Sequence, residues 1–413
     1  MSASDNTSFS QEATETGQHV QLADTVVPLS TVRANPARFT RLFTRAKAEA
    51  GHAQCLCTAP ALKLVIRVRE GRYHLARWPG QGDHHKAGCD FHQVDPGLSG
   101  RGHYSDQAIC ETDEGTAIRL GIPLETRLTT SRPTRAKSRP AVSVGGSRRA
   151  VGLLGLLHWM WEEAKLTEWL PSRRRTWRDC HARLLHRVAE CTVNGLDLAT
   201  ALYVVPPYRP EDAARNAGAF EAFGTRLGRQ GAIARRALIL GEIKEIGDTP
   251  YGKRIMLRHL RTPLYATTVL VERVRASYRS VFSAAAGDEA RRVALCMVER
   301  SARGHLTIVD MAAMLTGRAS IPVDSSYELR MADQLIAAGR SFIKPLRYEG
   351  DEVFPDFVLI DVTPFVYVEV YGVRGRESYD QRKRVKQKYY RTAGISVLEW
   401  DVTQPLPDLS GSR

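Results

Sequence analysis

Pro355-Asp-Phe-Val-Leu-Ile-Asp-Val-Thr-Pro-Phe-Val-Tyr-Val-Glu-Val-Tyr371 is the stretch on which the reading of this chain turns. Its two apolar, β-branched runs, 354–361 and 365–371, predict strands, and Asp356 stands at the start of the first. In the second run the odd positions share one face, where Glu369 lies between Tyr367 and Tyr371. Val366, Val368 and Val370 form the other face and are expected to pack on a helix. A carboxylate on so apolar a strand is costly unless it is paired or binds a metal. Carboxylates on two neighbouring strands suit Mg2+ (or Mn2+), which takes carboxylate oxygens and waters and leaves room for a phosphate oxygen. Such an ion can acidify an attacking water and steady a pentacoordinate phosphorus.

Working outward, Ser325 or Ser326 is read as the cap of a helix that runs to about Ala338, with Gly339 as its stop and Glu328 in its first turn. A strand is expected near 342–348, before the quoted stretch. After it come a helix over about 377–393, ended by Gly394, and a strand at 395–400. The predicted order is α-β-β-β-α-β. The helix is strongly basic: residues 374–391 hold eight Arg or Lys against Glu377 and Asp380.

This arrangement resembles the PD-(D/E)-x-K nuclease superfamily, the restriction-endonuclease-like fold, over Glu328 to Trp400. The resemblance implies that Asp356 and Glu369 are the Mg2+ ligands and that Glu328 matches a glutamate many members place on the first helix. The lysine expected two residues after the second acid is Tyr371 here. Some members supply that lysine from the following helix, which makes Lys383 and Lys386 the candidates. Arg374, Arg376 and Arg382 are the implied contacts to backbone phosphates. The turn, the D-x-R helix and the strand ending at Trp400 are also similar to very-short-patch-repair-type endonucleases. The alternative is that Asp356 is a turn residue, Glu369 an ion-pair partner and the lysines a solvated helix face.

A second constellation is Cys55-Leu-Cys57, His84-His85 and Cys89-Asp-Phe-His92. Thiolates and imidazoles in two clusters suit a tetrahedral Zn2+ site. Cys55, Cys57, Cys89 and His92 are the expected ligands, with His84 or His85 as substitute. Four protein ligands leave no open position, so the zinc is expected to be structural. The alternative is three reduced buried cysteines and a histidine-rich loop. The remaining thiols, Cys110, Cys180, Cys191 and Cys296, are scattered, and an odd total without a regular framework fits a reducing compartment.

The net charge of +14 points to a polyanionic partner, nucleic acid or anionic lipid. The longest apolar run, Val151 to Trp161, contains His158 and is too short to cross a bilayer. The N-terminus is polar, so no signal peptide is read and a cytoplasmic location is expected. Arg173, Arg174 and Arg175 sit near Trp169 and Trp177, and arginines interleaved with aromatics can hold phosphates and stack bases. Nucleic acid, with DNA first, is therefore the expected partner, without a membrane.

The expected architecture is α+β and multidomain: a loose tail at 1–35, a zinc-ribbon-like module at 36–125 with a hairpin around Gly71, a basic linker at 126–149, a helical and β-rich middle at 150–320, and a restriction-endonuclease-like domain at 321–405. Within the middle region, 150–200 and 287–318 are expected to be helical and 233–275 β-rich. The segment Tyr73-His-Leu-Ala-Arg-Trp-Pro-Gly80, the histidine-cysteine cluster, Lys344-Pro-Leu-Arg-Tyr348 and Pro355-Asp-Phe357 also resemble an uncharacterised family of proteobacterial integrative and conjugative elements. The expected function is metal-dependent hydrolysis of phosphodiester bonds, of DNA first, in a mobile-element context. The alternative is a non-catalytic nucleic-acid-binding accessory protein built on a degenerate nuclease fold.

Overall fold

The computed structural model describes residues 17–127, 148–172, 175–231, 233–350, 354–372 and 377–409. Arg173, Arg174, Arg374, Arg376, the side chain of Arg382 and most of the basic linker lie outside the described residues. The protein is α+β, and its chain divides into two units, Met1–His92 and Gln93–Arg413. No described helix is long and apolar enough to cross a membrane.

The first unit is a five-stranded antiparallel sheet in the order Thr25–Pro28, His19–Leu22, Ala53–Cys55, Leu62–Arg69, Arg72–Arg77. The last two strands form the hairpin read from the sequence. Its turn residues Glu70 and Gly71 both have positive φ, +49° and +74°, the backbone that matches the strand twist. The helix Thr40–Glu49 buries Phe43 and Ala46 on this sheet together with Val20, Leu22 and Leu64. Residues 19–34 are thus a correction to the expected tail: two strands and a short helix whose Val20, Leu22, Leu29 and Val32 are buried. The apolar signal there is only four residues long, and its stability comes from pairing with Ala53–Cys55, which local periodicity does not reveal.

The unit ends at His92 rather than near 125. Ile109–Glu111 and Thr116–Ile118 belong to the second unit, where Thr116–Ile118 pairs in parallel with Cys191–Val193. The largest sheet of that unit has nine strands and is centred on Ile233–Thr249, flanked by Gly252–Leu257 and Arg291–Arg300. Two long strands, Arg291–Arg300 and Leu306–Thr316, replace the helix expected at 287–318. Val293 through Val298 are all buried. A strand covered on both faces loses its alternation, so by period alone it reads like a buried helix.

In the C-terminal region Ser325 caps the helix Ser326–Ala337, its hydroxyl accepting from the Glu328 N–H at 3.1 Å. The chain turns at Gly339, φ +68°, which a side chain would strain. The strands Phe342–Ile343, Phe357–Leu359 and Val366–Tyr371, the helix Glu377–Thr392 and the strand Ser396–Asp401 follow in that order. Val366–Tyr371 lies parallel to Ser396–Asp401 and antiparallel to Phe357–Leu359. The sheet does not begin at residue 321: Glu168–Trp169 pairs with Phe342–Ile343 as its edge. Phe342, Phe357, Val368 and Trp400 fill its core with Leu329 and Leu335 of the helix.

Candidate functional site

Asp356 and Glu369 are brought together by the antiparallel pairing of their strands. The Asp356 N–H donates to the Val368 carbonyl at 3.0 Å, and one Asp356 carboxylate oxygen accepts from the Val370 N–H at 2.7 Å. Both carboxylates are buried, Glu369 to 1% exposure. Glu369 does not stay unpaired. Lys386, two turns into the basic helix, donates to both its oxygens at 2.9 and 2.8 Å, and Tyr390 one turn further donates at 2.6 Å. Lys386 also donates to the Phe354 carbonyl at 2.8 Å. The i, i+4 spacing of Lys386 and Tyr390 puts both on the helix face that covers the strand.

Glu328 lies in the same neighbourhood. Its carboxylate accepts from the Asp324 N–H at 3.0 Å and from Lys344 at 2.8 Å. Lys344 is 1% exposed and also reaches Asp324 at 3.1 Å. Arg347, on the surface, feels all four carboxylates: Asp324, Glu328, Asp356 and Glu369. Four acids therefore face three cations, Lys344, Arg347 and Lys386. The titration of the acids reflects this. Burial pushes Glu328 up to about 7, against Lys344 and with the help of Asp324 and Asp356. Burial also raises Asp356, opposed by Lys344 and reinforced by Glu369. His158 adds no charge at neutral pH, because burial holds its imidazole down to about 4.

The other expected site residues fall elsewhere. Lys383 does not reach the carboxylates; its ammonium sits 3.9 Å from the centre of the Tyr371 ring, a cation–π contact. Arg175, an expected nucleic-acid contact, is engaged within the fold. Its guanidinium donates to the carbonyls of Leu166 at 2.9 Å and Lys165 at 3.3 Å, and to that of Glu168, and it lies over the Trp169 ring. It ties down a loop. Sequence reasoning missed Asp324, Lys344, Arg347 and Tyr390. The available signal was Lys344, a lysine directly after the buried pair Phe342-Ile343.

In the first unit Cys55, Cys57, His85 and Cys89 present ligand atoms that all lie within 4.8 Å of one another. Cys55 and Cys89 sulfurs are 3.7 Å apart, and His85 Nδ1 is 3.3 Å from the Cys57 sulfur and 3.6 Å from that of Cys89. A tetrahedron with metal–sulfur bonds of about 2.3 Å has edges of about 3.8 Å, so the group has the size of a metal site such as that of zinc. Gln18 donates to Cys55 at 3.4 Å and to Cys89 at 3.0 Å, and the Phe91 N–H donates to Cys89 at 3.4 Å. Hydrogen bonds of this kind orient ligands from outside the metal's own shell. His85, not His92, is the fourth member. The chain turns between them, with the His92 N–H on the Cys89 carbonyl at 3.1 Å, and the His92 ring is not among the converging atoms. Of the two substitutes expected from the sequence, His85 is 2% exposed while His84 faces outward.

No curated protein and no solved structure matches the chain. The family described as "Protein of unknown function (DUF1173)" matches residues 27–403, which takes in both the Cys/His group and the buried carboxylates, and the chain belongs to that family.

Proposed function

We propose that the protein is a metal-dependent nuclease that hydrolyses phosphodiester bonds, of DNA first, in the cytoplasm and in a mobile-element context. The observation that carries the reading is the pair Asp356 and Glu369, buried on adjacent strands with a lysine from the next helix in contact. This supports the resemblance to the PD-(D/E)-x-K superfamily, with Lys386 standing in for the lysine that Tyr371 replaces. The donor chemistry fits Mg2+ or Mn2+: carboxylate oxygens from two adjacent strands. Asp356 and Glu369 would hold the ion, which supplies a polarised water and charge for the phosphate. Lys386 would turn from Glu369 toward the developing phosphorane charge, and Lys344 keeps Glu328 and Asp324 in place. Glu328, pushed up to about 7, is matched to take a proton from the attacking water near neutral pH. The Cys/His group would hold a structural Zn2+, since its four protein donors close the coordination sphere.

The second reading, a non-catalytic nucleic-acid-binding protein, is favoured by one observation: both Glu369 oxygens are engaged by Lys386. Cleavage of plasmid DNA in Mg2+ or Mn2+ separates the two. Wild type should nick. Asp356→Ala should lose nicking while keeping or tightening DNA binding, and Lys386→Ala should slow it by about 10^2-fold, the size of one lost electrostatic contact. Tyr371→Lys should preserve or raise the rate. Wild type that cuts nothing, or Asp356→Ala that cuts equally well, leaves the binding reading in possession.

A further inference from the structure

A cleft of about 670 Å³ in the second unit shares no residue with the carboxylate centre. It lies between loop 205–209, the helix Ala213–Thr225, the strands Ile233–Thr249 and Gly252–Leu257, and loop 259–262. Its floor is aromatic: Tyr203 stands edge-on to Phe220, with ring centres 4.9 Å apart at 69°. At its mouth Tyr208 and His259 are exposed and nearly parallel, 6.3 Å apart at 18°. Stacked bases lie about 3.4 Å apart, so a base between two rings needs about twice that, close to the spacing found. His259 is held at φ +68°, a backbone region that β-carbon-bearing residues seldom adopt and that collects at binding sites. The charged lining is basic, with Lys244, Arg261 and Arg300 against Glu221. Arg300 is fixed in the wall by the carbonyls of Gly304 and Gly224, at 3.3 and 3.4 Å, while Lys244 and Arg261 are exposed.

Flat rings with cations beside them select a flat, anionic ligand, and the volume falls within the range of small-molecule sites. We propose that this cleft binds one nucleotide unit, its base against Tyr208 and His259 and its phosphate toward Lys244 and Arg261. The site is independent of the nuclease reading. The unit comes either from a single-stranded segment of nucleic acid or from a free mononucleotide.

Binding of fluorescent oligo-dT, and its competition by thymidine monophosphate, measured on the full chain in EDTA, tests this without any cleavage. Tyr208→Ala should weaken binding roughly 5- to 150-fold, the loss of one base stack. Arg261→Ala should weaken it and flatten the salt slope of oligo-dT binding by about 0.7 unit. Tyr251→Ala, which removes a 92% exposed tyrosine outside the cleft, should bind as wild type does. Tight oligo-dT binding with weak competition by the monophosphate assigns the cleft to single strands, and equal affinities assign it to free nucleotides. The proposal is overturned if neither probe binds, or if Tyr208→Ala and Arg261→Ala both bind like wild type.

Discussion

Cys55 and Cys89 are held by Gln18 and a backbone N–H, whereas Glu369 and Glu328 are held by lysines. The hydrogen bond from Cys89, and after it that from His85, holds the Cys55 thiol down to about 4 against burial, so this group can bury a thiolate on hydrogen bonds in place of cations. The buried carboxylates rest on cations instead, and the fold supplies Lys344 and Lys386 from two different elements. The consequence is a difference in readiness. A soft ion meets the first group with its donors already at tetrahedral spacing. A hard ion at the second must share Glu369 with Lys386. Under the proposed function the first arrangement would suit a structural ion and the second an exchangeable one.

The largest effect expected from this contrast is at the thiols. Protein purified without chelator should contain close to one zinc per chain, and Cys89→Ser should lose it. Structural zinc contributes on the order of 10 kcal/mol in small domains. Here the five-stranded sheet keeps a core of its own around Phe43 and Leu64, so the unit should lose part of that figure. Elemental analysis and limited proteolysis within residues 17–92 read the two effects. A metal-free wild type would remove the contrast altogether.

Next in size is the lysine that sequence reasoning missed. Lys344→Met leaves Glu328 and Asp324 without their shared partner, and removing one member of a buried pair costs about 3–5 kcal/mol. The double variant Lys344→Met, Glu328→Gln removes both charges and should recover a large share of the loss. Urea midpoints measure this, with Lys386→Met as comparison. Equal stability of Lys344→Met and wild type would show that the centre does not depend on its own cations.

What was legible in the sequence follows from how local each signal is. The succession from Ser325 to Trp400 was legible because caps, stops and short apolar runs are all encoded within a few residues. So was the engagement of Glu369 by the basic helix, though not which lysine does it: Lys383 and Lys386 differ by three positions, and the turn of the helix sends one to the Tyr371 ring and the other to the carboxylate. Lys344 was missed because its partners, Asp324 and Glu328, lie some twenty and sixteen residues upstream. His85 displaced His92 because which side chain reaches the thiols depends on how the loop 78–92 closes. The edge strand Glu168–Trp169 is two residues long and has no local signature. The strands at 291–316 were hidden by burial on both faces, which erased their period.

The last expected effect is the sign of the pH dependence, and it separates the two centres. Glu328 is raised to about 7 by burial, from about 4.3 in an unfolded chain. The folded state therefore holds this proton more tightly than the unfolded state. The stability it contributes is fully present below about pH 4.3 and is lost as the pH rises through about 7. The effect should be on the order of 3–4 kcal/mol, taken as the difference between wild type and Glu328→Gln across that window. A metal-loaded thiol group behaves in the opposite sense: acid returns protons to the thiolates and releases the ion, so the first unit should weaken as the pH falls. Melting curves for the two units, followed by proteolysis within and beyond residue 92, should therefore move in opposite directions between pH 4.5 and 7. Saturating Mg2+ should shrink the Glu328-dependent slope, because a nearby cation favours the ionised carboxylate and draws its pKa back toward the unfolded value. If wild type and Glu328→Gln show the same slope, with or without Mg2+, Glu328 is not the residue that carries the proton of this centre.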